Sequence, residues 1–272
     1  MGIMVKKAEE KGQTMRKAIR LIVLAAAAVV FIVSCVNLFH IFSEYRKGEM
    51  EYTEIQEYAV LPETEEETAD EDVFPMPDID FEALKEINGD FCAWLYIPAL
   101  DLNYPVVWNG DNETYLTRTF EGESNSAGCL FVDAANQPDF SDRNTLIYGH
   151  NMKNGTMFGS LSDFQQDENL AEQSPYFYIY TEDTAMRYQI IAYYTTTGDS
   201  NTYSLVHTDE EYDAWLQWIF RNNQFAGYEE EMTAERPGIV TLSTCYGRAG
   251  GTERFVVHGV LSAEKEMEQI GK

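Results

Sequence analysis

The chain has 272 residues, and its 46 acidic against 19 basic side chains give a formal net charge of −27. Binding to nucleic-acid phosphates needs clustered Lys and Arg, so this balance excludes a general nucleic-acid binder. An aromatic content of 13% argues against a wholly disordered chain, and four Cys are too few for a disulfide scaffold.

The N-terminus joins a basic segment to an uncharged apolar run. Residues 1–20 carry a net charge of +4, so the other 252 residues carry −31. Residues 21–39 hold no charge, and a helix of that length spans about 28 Å, close to a bilayer core. A buried core helix and a cleaved signal peptide are the alternatives, but no small-x-small cleavage site follows the run. We therefore predict an uncleaved transmembrane anchor over 21–39, with 1–20 in the cytoplasm and the rest outside.

An acidic stretch follows the apolar run. Between Glu49 and Asp72, 11 of 24 residues are acidic, and self-repelling segments of this kind rarely fold. We predict an extended juxtamembrane stalk over residues 40–77. A folded domain is expected over residues 78–264, followed by a short tail over 265–272.

The predicted domain begins with a short helix and continues with strands. Asp80 is placed to cap a helix with Phe81, Leu84 and Ile87 on one face. The runs after it are short, rich in β-branched and aromatic residues, and bounded by turn residues, which predicts a mainly β fold, either a barrel or a sandwich. The predicted strands are Ala93–Ile97, Tyr104–Val107, Gly128–Val132, Thr145–Tyr148, Tyr176–Thr181, Arg187–Tyr194, Gly238–Thr244 and Arg254–Leu261.

One later segment has helical spacing. Thr208 and Glu211 form a capping-box pattern, and apolar residues then recur every three or four positions up to Phe220. We predict a helix over residues 208–223 that packs its apolar face on the sheet.

Of the four His and four Cys, one of each is a candidate catalytic residue. His150 follows a predicted strand and a Gly, and Cys245 ends another strand before a Gly-rich loop, which are positions where reactive side chains are often presented. The other His are expected to be interfacial (His40), in a loop (His207) and structural (His258). Of the other Cys, Cys35 lies in the apolar run, whereas Cys92 and Cys129 have apolar neighbours. The sequence does not decide whether these two form a disulfide.

A cation is needed beside a nucleophile that attacks a carbonyl. Arg254 opens the last predicted strand nine positions after Cys245, so a turn between them would bring its guanidinium alongside the thiol, where it could stabilise an oxyanion. Arg248 is the rival, on a glycine-rich loop. No spacing typical of a zinc or calcium site occurs, so no metal is expected.

These residues resemble those of the sortases, the Gram-positive cysteine transpeptidases. The run Thr241-Leu-Ser-Thr-Cys245 resembles the TLxTC signature of that family. The stretches that start at Asn103 (NYPVV), Asp111 (DNETYL) and Tyr148 (YGHNMKNGTMF) resemble the class B branch. The resemblance covers roughly residues 80–262.

The resemblance implies a fold and a set of roles. The fold is an eight-stranded sortase β-barrel with short N-terminal helices and a helix between the sixth and seventh strands, which residues 208–223 would supply. The resemblance implies that Cys245 is the nucleophile, His150 the general acid/base and Arg254 the oxyanion-stabilising group. The residues that resemble sorting-signal contacts are Asn112, Leu116, Tyr203, Ser243 and Thr244.

The implied activity is the cleavage of secreted proteins after Thr in a C-terminal sorting motif and their transfer, through a thioacyl intermediate, to an amine. In this reading the amine belongs to a lipid-linked peptidoglycan precursor, the enzyme faces the cell wall from the membrane, and no cofactor is needed. Three alternatives stay open: a pilin-polymerising sortase with a Lys acceptor, an inactive membrane-tethered binding barrel, and a hydrolytic cysteine peptidase of unrelated fold.

Overall fold

The computed structural model describes residues 2–62, 74–167, 169–227, 230–248 and 250–267. The chain divides into two compact units, Met1–Lys47 and Gly48–Lys272. Helix α1 (Gly2–Gln56) contains the apolar run. Within the described residues, Met15–Gln56 is the one helical segment long and apolar enough to cross a membrane, and its most apolar window has a mean hydropathy of 2.8.

Among the described residues, the second unit contains ten strands and four α-helices besides the end of α1. Helices α2 to α5 are Phe81–Ile87, Asp163–Gln166, Asn169–Gln173 and Asp209–Asn222. In chain order, strands β1 to β10 are Ala59–Val60, Asp78–Ile79, Phe91–Ile97, Leu102–Val107, Leu130–Val132, Asn144–Tyr148, Tyr176–Tyr180, Thr184–Thr197, Ile239–Cys245 and Glu253–Glu266. Strands β1 and β2 form a separate pair, and β3 to β10 close into a barrel.

The barrel has the strand order β10-β8-β7-β3-β4-β5-β6-β9 and closes on itself, which confirms the predicted eight-stranded barrel. Its strands are rich in β-branched and aromatic residues whose side chains are mostly buried, as expected for a filled small barrel. Two neighbouring pairs, β4 with β5 and β6 with β9, are parallel. The parallel β6–β9 pair matters most for function, because both strands end at the same rim of the barrel.

Helix α5 lies between the sixth and seventh barrel strands, as the family resemblance implies. Its N-terminus has the predicted capping box: Thr208 Oγ1 accepts from the Glu211 N–H, and the Glu211 carboxylate accepts from the Thr208 N–H. Its apolar face, which includes Trp215 and Ile219, is buried against the barrel. The Asp80 cap of α2 is also present.

The acidic segment before the barrel differs from the sequence-based expectation. From Gly48 to Gln56 the chain is helical and belongs to the folded unit, and Tyr52 and Ile55 are 3% and 1% exposed. Strand β1 pairs with β2, with Ala59 opposite Ile79. The prediction of an extended, unpacked stalk is therefore wrong for these residues, because apolar side chains three residues apart give the acidic helix a face to bury. Residues 63–73 of the predicted stalk lie outside the described residues.

At the other end, β10 extends to Glu266, past the predicted domain end at residue 264. The predicted tail therefore begins inside a strand that pairs with β8 as far as Glu266 opposite Thr184. Residues 268–272 of that tail lie outside the described residues.

Candidate active site

Strand pairing places Arg254 directly beside Cys245. Strands β9 and β10 are antiparallel, and in their register Cys245 is opposite Arg254. The first six residues of β9 are buried, and the strand delivers Cys245 to the surface at its end. The chain reverses direction between the two strands, and Gly247, just after β9, has a φ of 75°. The register thus confirms the predicted pairing of Arg254 with Cys245 on neighbouring strands.

The parallel pairing of β6 with β9 brings His150 to the same rim. Tyr148, the last residue of β6, is opposite Ser243. Beyond the strand the two segments stay bonded: the Gly149 N–H donates to the Ser243 carbonyl at 3.2 Å, and Thr244 Oγ1 donates to the Gly149 carbonyl at 2.8 Å. A side chain at position 149 would overlap Leu130 and Phe158, so only Gly allows this approach.

The His150 ring is held by one hydrogen bond. Its Nε2 lies 2.7 Å from the carbonyl oxygen of Leu116, at the end of a 3₁₀ turn over Thr114–Leu116. A carbonyl oxygen only accepts, so Nε2 carries the hydrogen and Nδ1 is the nitrogen left to gain or lose a proton. Gly128, at a φ of 60°, borders the ring, and a Cβ there would lie 3.0 Å from His150 Cδ2.

Cys245, His150 and Arg254 line one open cavity of about 340 Å³. All five predicted substrate-contact residues line it too, whereas Arg248, the rival cation, is not among its lining residues. The remaining wall is apolar or aromatic, which is common for a site that binds a peptide side chain. The lining residues are Asn112, Leu116, Phe131, Tyr148, Gly149, His150, Gly198, Tyr203, Ser243, Thr244, Cys245 and Arg254.

Arg254 and the peptide after Cys245 share one acceptor. The guanidinium Nη1 donates to the carbonyls of Gly251 at 3.2 Å and Glu253 at 2.9 Å. The backbone N–H of Tyr246 also donates to the Glu253 carbonyl, at 3.0 Å. The N–H that follows Cys245 is therefore engaged in strand pairing, whereas the guanidinium of Arg254 has further N–H groups that could donate to an oxyanion.

A buried carboxylate holds one wall of the cavity. Asp133 Oδ2 accepts from the Tyr148 hydroxyl at 2.8 Å and from Asn112 Nδ2 at 3.1 Å. Asn112 Oδ1 in turn accepts from the Ala134 N–H at 2.8 Å. Burial and the Asp133 carboxylate raise the pKa of Tyr148, so its hydroxyl stays protonated and remains a donor.

Tyr203 and Ser243 continue this wall, and their hydroxyls lie 2.8 Å apart. The Tyr203 ring stacks on Tyr148 with centroids 6.3 Å apart. Burial raises the pKa of Tyr203, although the Ser243 bond and the charge of Arg254 act against that rise. Thr244 differs from these residues, because its hydroxyl is used for the bond to Gly149.

The other Cys are placed as the sequence predicts. Burial raises the pKa of Cys92 and raises that of Cys129 to about 12. Both are free thiols in the structure, so Cys92 and Cys129 do not form a disulfide. Cys245 is exposed, whereas Cys129 is buried.

Comparison with known proteins agrees with this geometry. The sortase domain model matches residues 95–262, more than half of the chain. The chain belongs to the sortase family. Sortases are cysteine transpeptidases, so membership places the chain in a family of enzymes that use a Cys nucleophile.

Among curated proteins, this sortase is 32% identical over 166 residues to sortase B of Listeria monocytogenes, covering 60% of the chain and 65% of the relative. The chain thus spans slightly less than two thirds of that relative's length. Among solved structures, sortase B from Bacillus anthracis is 30% identical with a TM-score of 0.66, covering 81% of this chain and 99% of that one. The Staphylococcus aureus sortase B–substrate complex is 28% identical with a TM-score of 0.61, over 67% and 84% of the two chains.

Sequence reasoning missed several residues of this sortase site. Phe131, Tyr148 and Gly198 line the cavity, and Asn151 Nδ2 donates to the Cys245 carbonyl at 2.7 Å. Tyr148 and Asn151 flank the Gly-His pair, and that proximity in sequence was the available signal. Gly198 gave none, because the register of β8 against β10 is what brings it beside the Arg254 guanidinium.

Tyr246, the residue after Cys245, points away from the cavity. In this sortase its hydroxyl donates to Gln165 Oε1 at 3.1 Å, and its ring lies against Phe255 with centroids 5.9 Å apart. The side chain after Cys245 is thus held by α3 and the barrel, and it is not among the residues that line the cavity.

Proposed function

We propose that this sortase is a membrane-anchored class B transpeptidase that cleaves secreted proteins after Thr in a C-terminal sorting motif and joins them to a peptidoglycan amine. The observation that carries the proposal is the convergence of Cys245, His150 and Arg254 on one open cavity at the rim of the barrel. Family membership supports the same chemistry.

The first step forms a thioacyl enzyme. The Cys245 thiolate attacks the carbonyl carbon of the Thr residue, and the carbonyl oxygen becomes an oxyanion that accepts hydrogen bonds from the Arg254 guanidinium. As the C–N bond breaks, His150 gives its Nδ1 proton to the departing amine. The products are a thioester on Cys245, a neutral His150 and a released peptide with a free amino group.

The second step is aminolysis of the thioester. An amine of a lipid-linked peptidoglycan precursor attacks the same carbonyl carbon, and neutral His150 accepts a proton from it at Nδ1. Arg254 again stabilises the oxyanion, and the thiolate leaves. The exposed position of Cys245 supports entry of a second substrate, because the thiol stands at an open rim. The cycle needs no metal or organic cofactor.

The sorting motif lies along the cavity wall formed by Asn112, Leu116, Ser243, Thr244 and Tyr203. Leu116 is exposed at the mouth of the cavity, where it offers apolar contact to a substrate side chain. Sortase B of Staphylococcus aureus has been solved as a complex with substrate, which supports a peptide-binding role for the cavity of this chain.

The apolar helix supports a single-pass placement in the cell membrane. Its most apolar window has a mean hydropathy of 2.8, enough for a span by length and composition. We place the N-terminal basic segment in the cytoplasm because positive flanks stay on that side. The catalytic unit then faces the cell wall, where sorting substrates and the amine acceptor meet it.

Mass spectrometry tests the proposal directly. The fragment Gly48–Lys272 is mixed with a pool of pentapeptides that have Thr at the fourth position, without an amine acceptor. We expect a thioacyl adduct whose mass corresponds to the first four residues of one pool member, located on Cys245, and we expect none on the Cys245→Ala variant.

A wild-type fragment that forms no adduct and cleaves no peptide would favour the inactive binding barrel. Addition of a peptidoglycan stem amine or of a Lys side-chain amine to the trapped adduct then separates cell-wall anchoring from pilin polymerisation, since each acceptor gives a product of different mass.

A further inference from the structure

A row of hydrogen bonds continues the β6–β9 ladder beyond the end of β6. After the Gly149 N–H to Ser243 carbonyl bond and the Thr244 hydroxyl to Gly149 carbonyl bond, Asn151 Nδ2 donates to the Cys245 carbonyl at 2.7 Å. The last bond differs from the others because it joins the residue after His150 to the carbonyl of the nucleophile itself.

The peptide group between Cys245 and Tyr246 is consequently bonded at both ends. Its carbonyl accepts from Asn151, and its N–H donates to the Glu253 carbonyl at 3.0 Å. The Glu253 carbonyl also accepts from Arg254 Nη1 at 2.9 Å. One continuous chain of hydrogen bonds thus runs from the neighbour of His150, across the peptide of Cys245, to the guanidinium of Arg254.

Asn151 is the only amide side chain in this chain of bonds, and its main chain is firmly held. Asn151 forms a β-bridge with Met157, which is fully buried, and the Phe158 N–H donates to the His150 carbonyl at 3.0 Å. The loop therefore presents the amide from a fixed base, although the side chain itself lies at the surface.

We propose that Asn151 is a positioning residue that fixes the peptide plane of the nucleophile relative to His150 and Arg254. This inference rests on the proposed function of Cys245. Hydrogen bonds in a chain polarise and strengthen one another, so removal of the Asn151 donor loosens the peptide at both ends. A misplacement of about 1 Å in a reacting group costs on the order of 100-fold in rate, so a single surface amide can matter for turnover.

The test uses the full chain in detergent micelles. Asn151→Asp keeps the shape of the side chain but replaces the N–H donor by a carboxylate oxygen that repels the Cys245 carbonyl, and Asn151→Ala removes the group. Asn154→Ala is the matched control, because Asn154 lies in the same loop and its side chain, among the described residues, bonds only to Thr156. The substrate is the best-cleaved member of an internally quenched pentapeptide pool with Thr at position four.

We expect kcat to fall about 10- to 100-fold in both Asn151 variants, in line with a misplaced reacting group, with KM within twofold of wild type and an unchanged thermal unfolding midpoint. The Asn154→Ala control should turn over like wild type. Wild-type kcat in both Asn151 variants would overturn the inference, and so would a loss that appears only in KM.

A second measurement does not depend on turnover. Amide hydrogen exchange at the Tyr246 N–H is expected to rise at least about 10-fold in Asn151→Ala, because the peptide loses one of its two partners, while exchange in the buried part of β9 stays the same. An unchanged Tyr246 rate would also overturn the inference. Absence of cleavage in the wild-type chain would overturn the proposed function alone, and the exchange rates would still decide the role of Asn151.

Discussion

His258 and His150 have the same side chain and opposite surroundings. His258 is fully buried in β10, with Nδ1 2.8 Å from Thr241 Oγ1 and Nε2 2.9 Å from the Tyr194 hydroxyl. The Thr241 hydroxyl donates to Asn144 Oδ1, so His258 must donate from Nδ1 and accept at Nε2, which is a neutral ring. His150 lies at the open rim instead. At the residue scale, burial separates a structural His from the candidate acid/base.

Burial lowers the pKa of His258 to about 3, against an unperturbed value of about 6.5. His258 therefore binds a proton more weakly in the folded state than in the unfolded state. Its contribution to the free energy of unfolding is fully present above about pH 6.5 and is lost as the pH falls toward 3. We expect the Gly48–Lys272 fragment to lose about 2 kcal/mol at pH 5 from this group alone. The measurement is denaturant unfolding at pH 7.5 and pH 5.

Two variants separate the contribution of His258 to the pH dependence of unfolding from that of the many carboxylates. His258→Gln should lose less stability between the two pH values than wild type, whereas His207→Gln, which changes an exposed loop His, should follow wild type. If wild type and His258→Gln lose the same free energy of unfolding between pH 7.5 and pH 5, His258 is not the source of the pH dependence.

At the element scale, the barrel strands were predictable and the first helix of the catalytic unit was not. All eight barrel strands coincide with runs rich in β-branched and aromatic residues, and the capping pattern predicted α5. The end of α1 was missed because its acidic residues dominate the composition, although Tyr52 and Ile55 have helical spacing. The positions of the three central residues of the candidate site were predictable, since Cys245 ends a strand, His150 follows one and Arg254 lies at the start of the last one. The walls built by Asp133 and Gly198 depend on register, which sequence alone does not fix.

The end of α1 supports the loop that holds His150. The Tyr52 hydroxyl donates to the Gly128 carbonyl at 2.5 Å, and Gly128 borders the His150 ring. We expect a fragment that starts at residue 78 to be less stable than Gly48–Lys272 by about 4 kcal/mol, because it loses the burial of Tyr52 and Ile55. Guanidinium unfolding of the two fragments measures this difference.

The Tyr52→Phe variant of the longer fragment separates the hydroxyl from the ring. It should lose about 1 kcal/mol, the contribution of one buried hydrogen bond. Equal free energies of unfolding for the two fragments would show that the helix adds nothing to the fold.

At the scale of the whole molecule, the charge and the apolar run define sidedness. The basic first 20 residues and the acidic remainder predict that the catalytic unit is outside the cell. We expect a membrane-impermeant maleimide to label the full chain on intact protoplasts of a Gram-positive host, at Cys245. Cys92 and Cys129 should not react, because burial raises the pKa of both thiols.

The Cys245→Ala chain is the control and should stay unlabelled, since Cys35 lies within the apolar run. Labelling of wild type only after the protoplasts are permeabilised would reverse the topology.

The closed barrel limits how a client can be recognised. Strand β9, which carries Cys245, pairs with β6 on one side and with β10 on the other, and the Cys245 carbonyl accepts from Asn151. Among the described residues, β9 therefore has no free row of N–H and C=O groups for an incoming extended segment, which disfavours docking on β9 by strand addition, the mode that reads main chain and tolerates many sequences. The enzyme must then distinguish its clients by the client side chains that fit a cavity of about 340 Å³. A cavity of this size favours a short recognition motif with few allowed residues at each position.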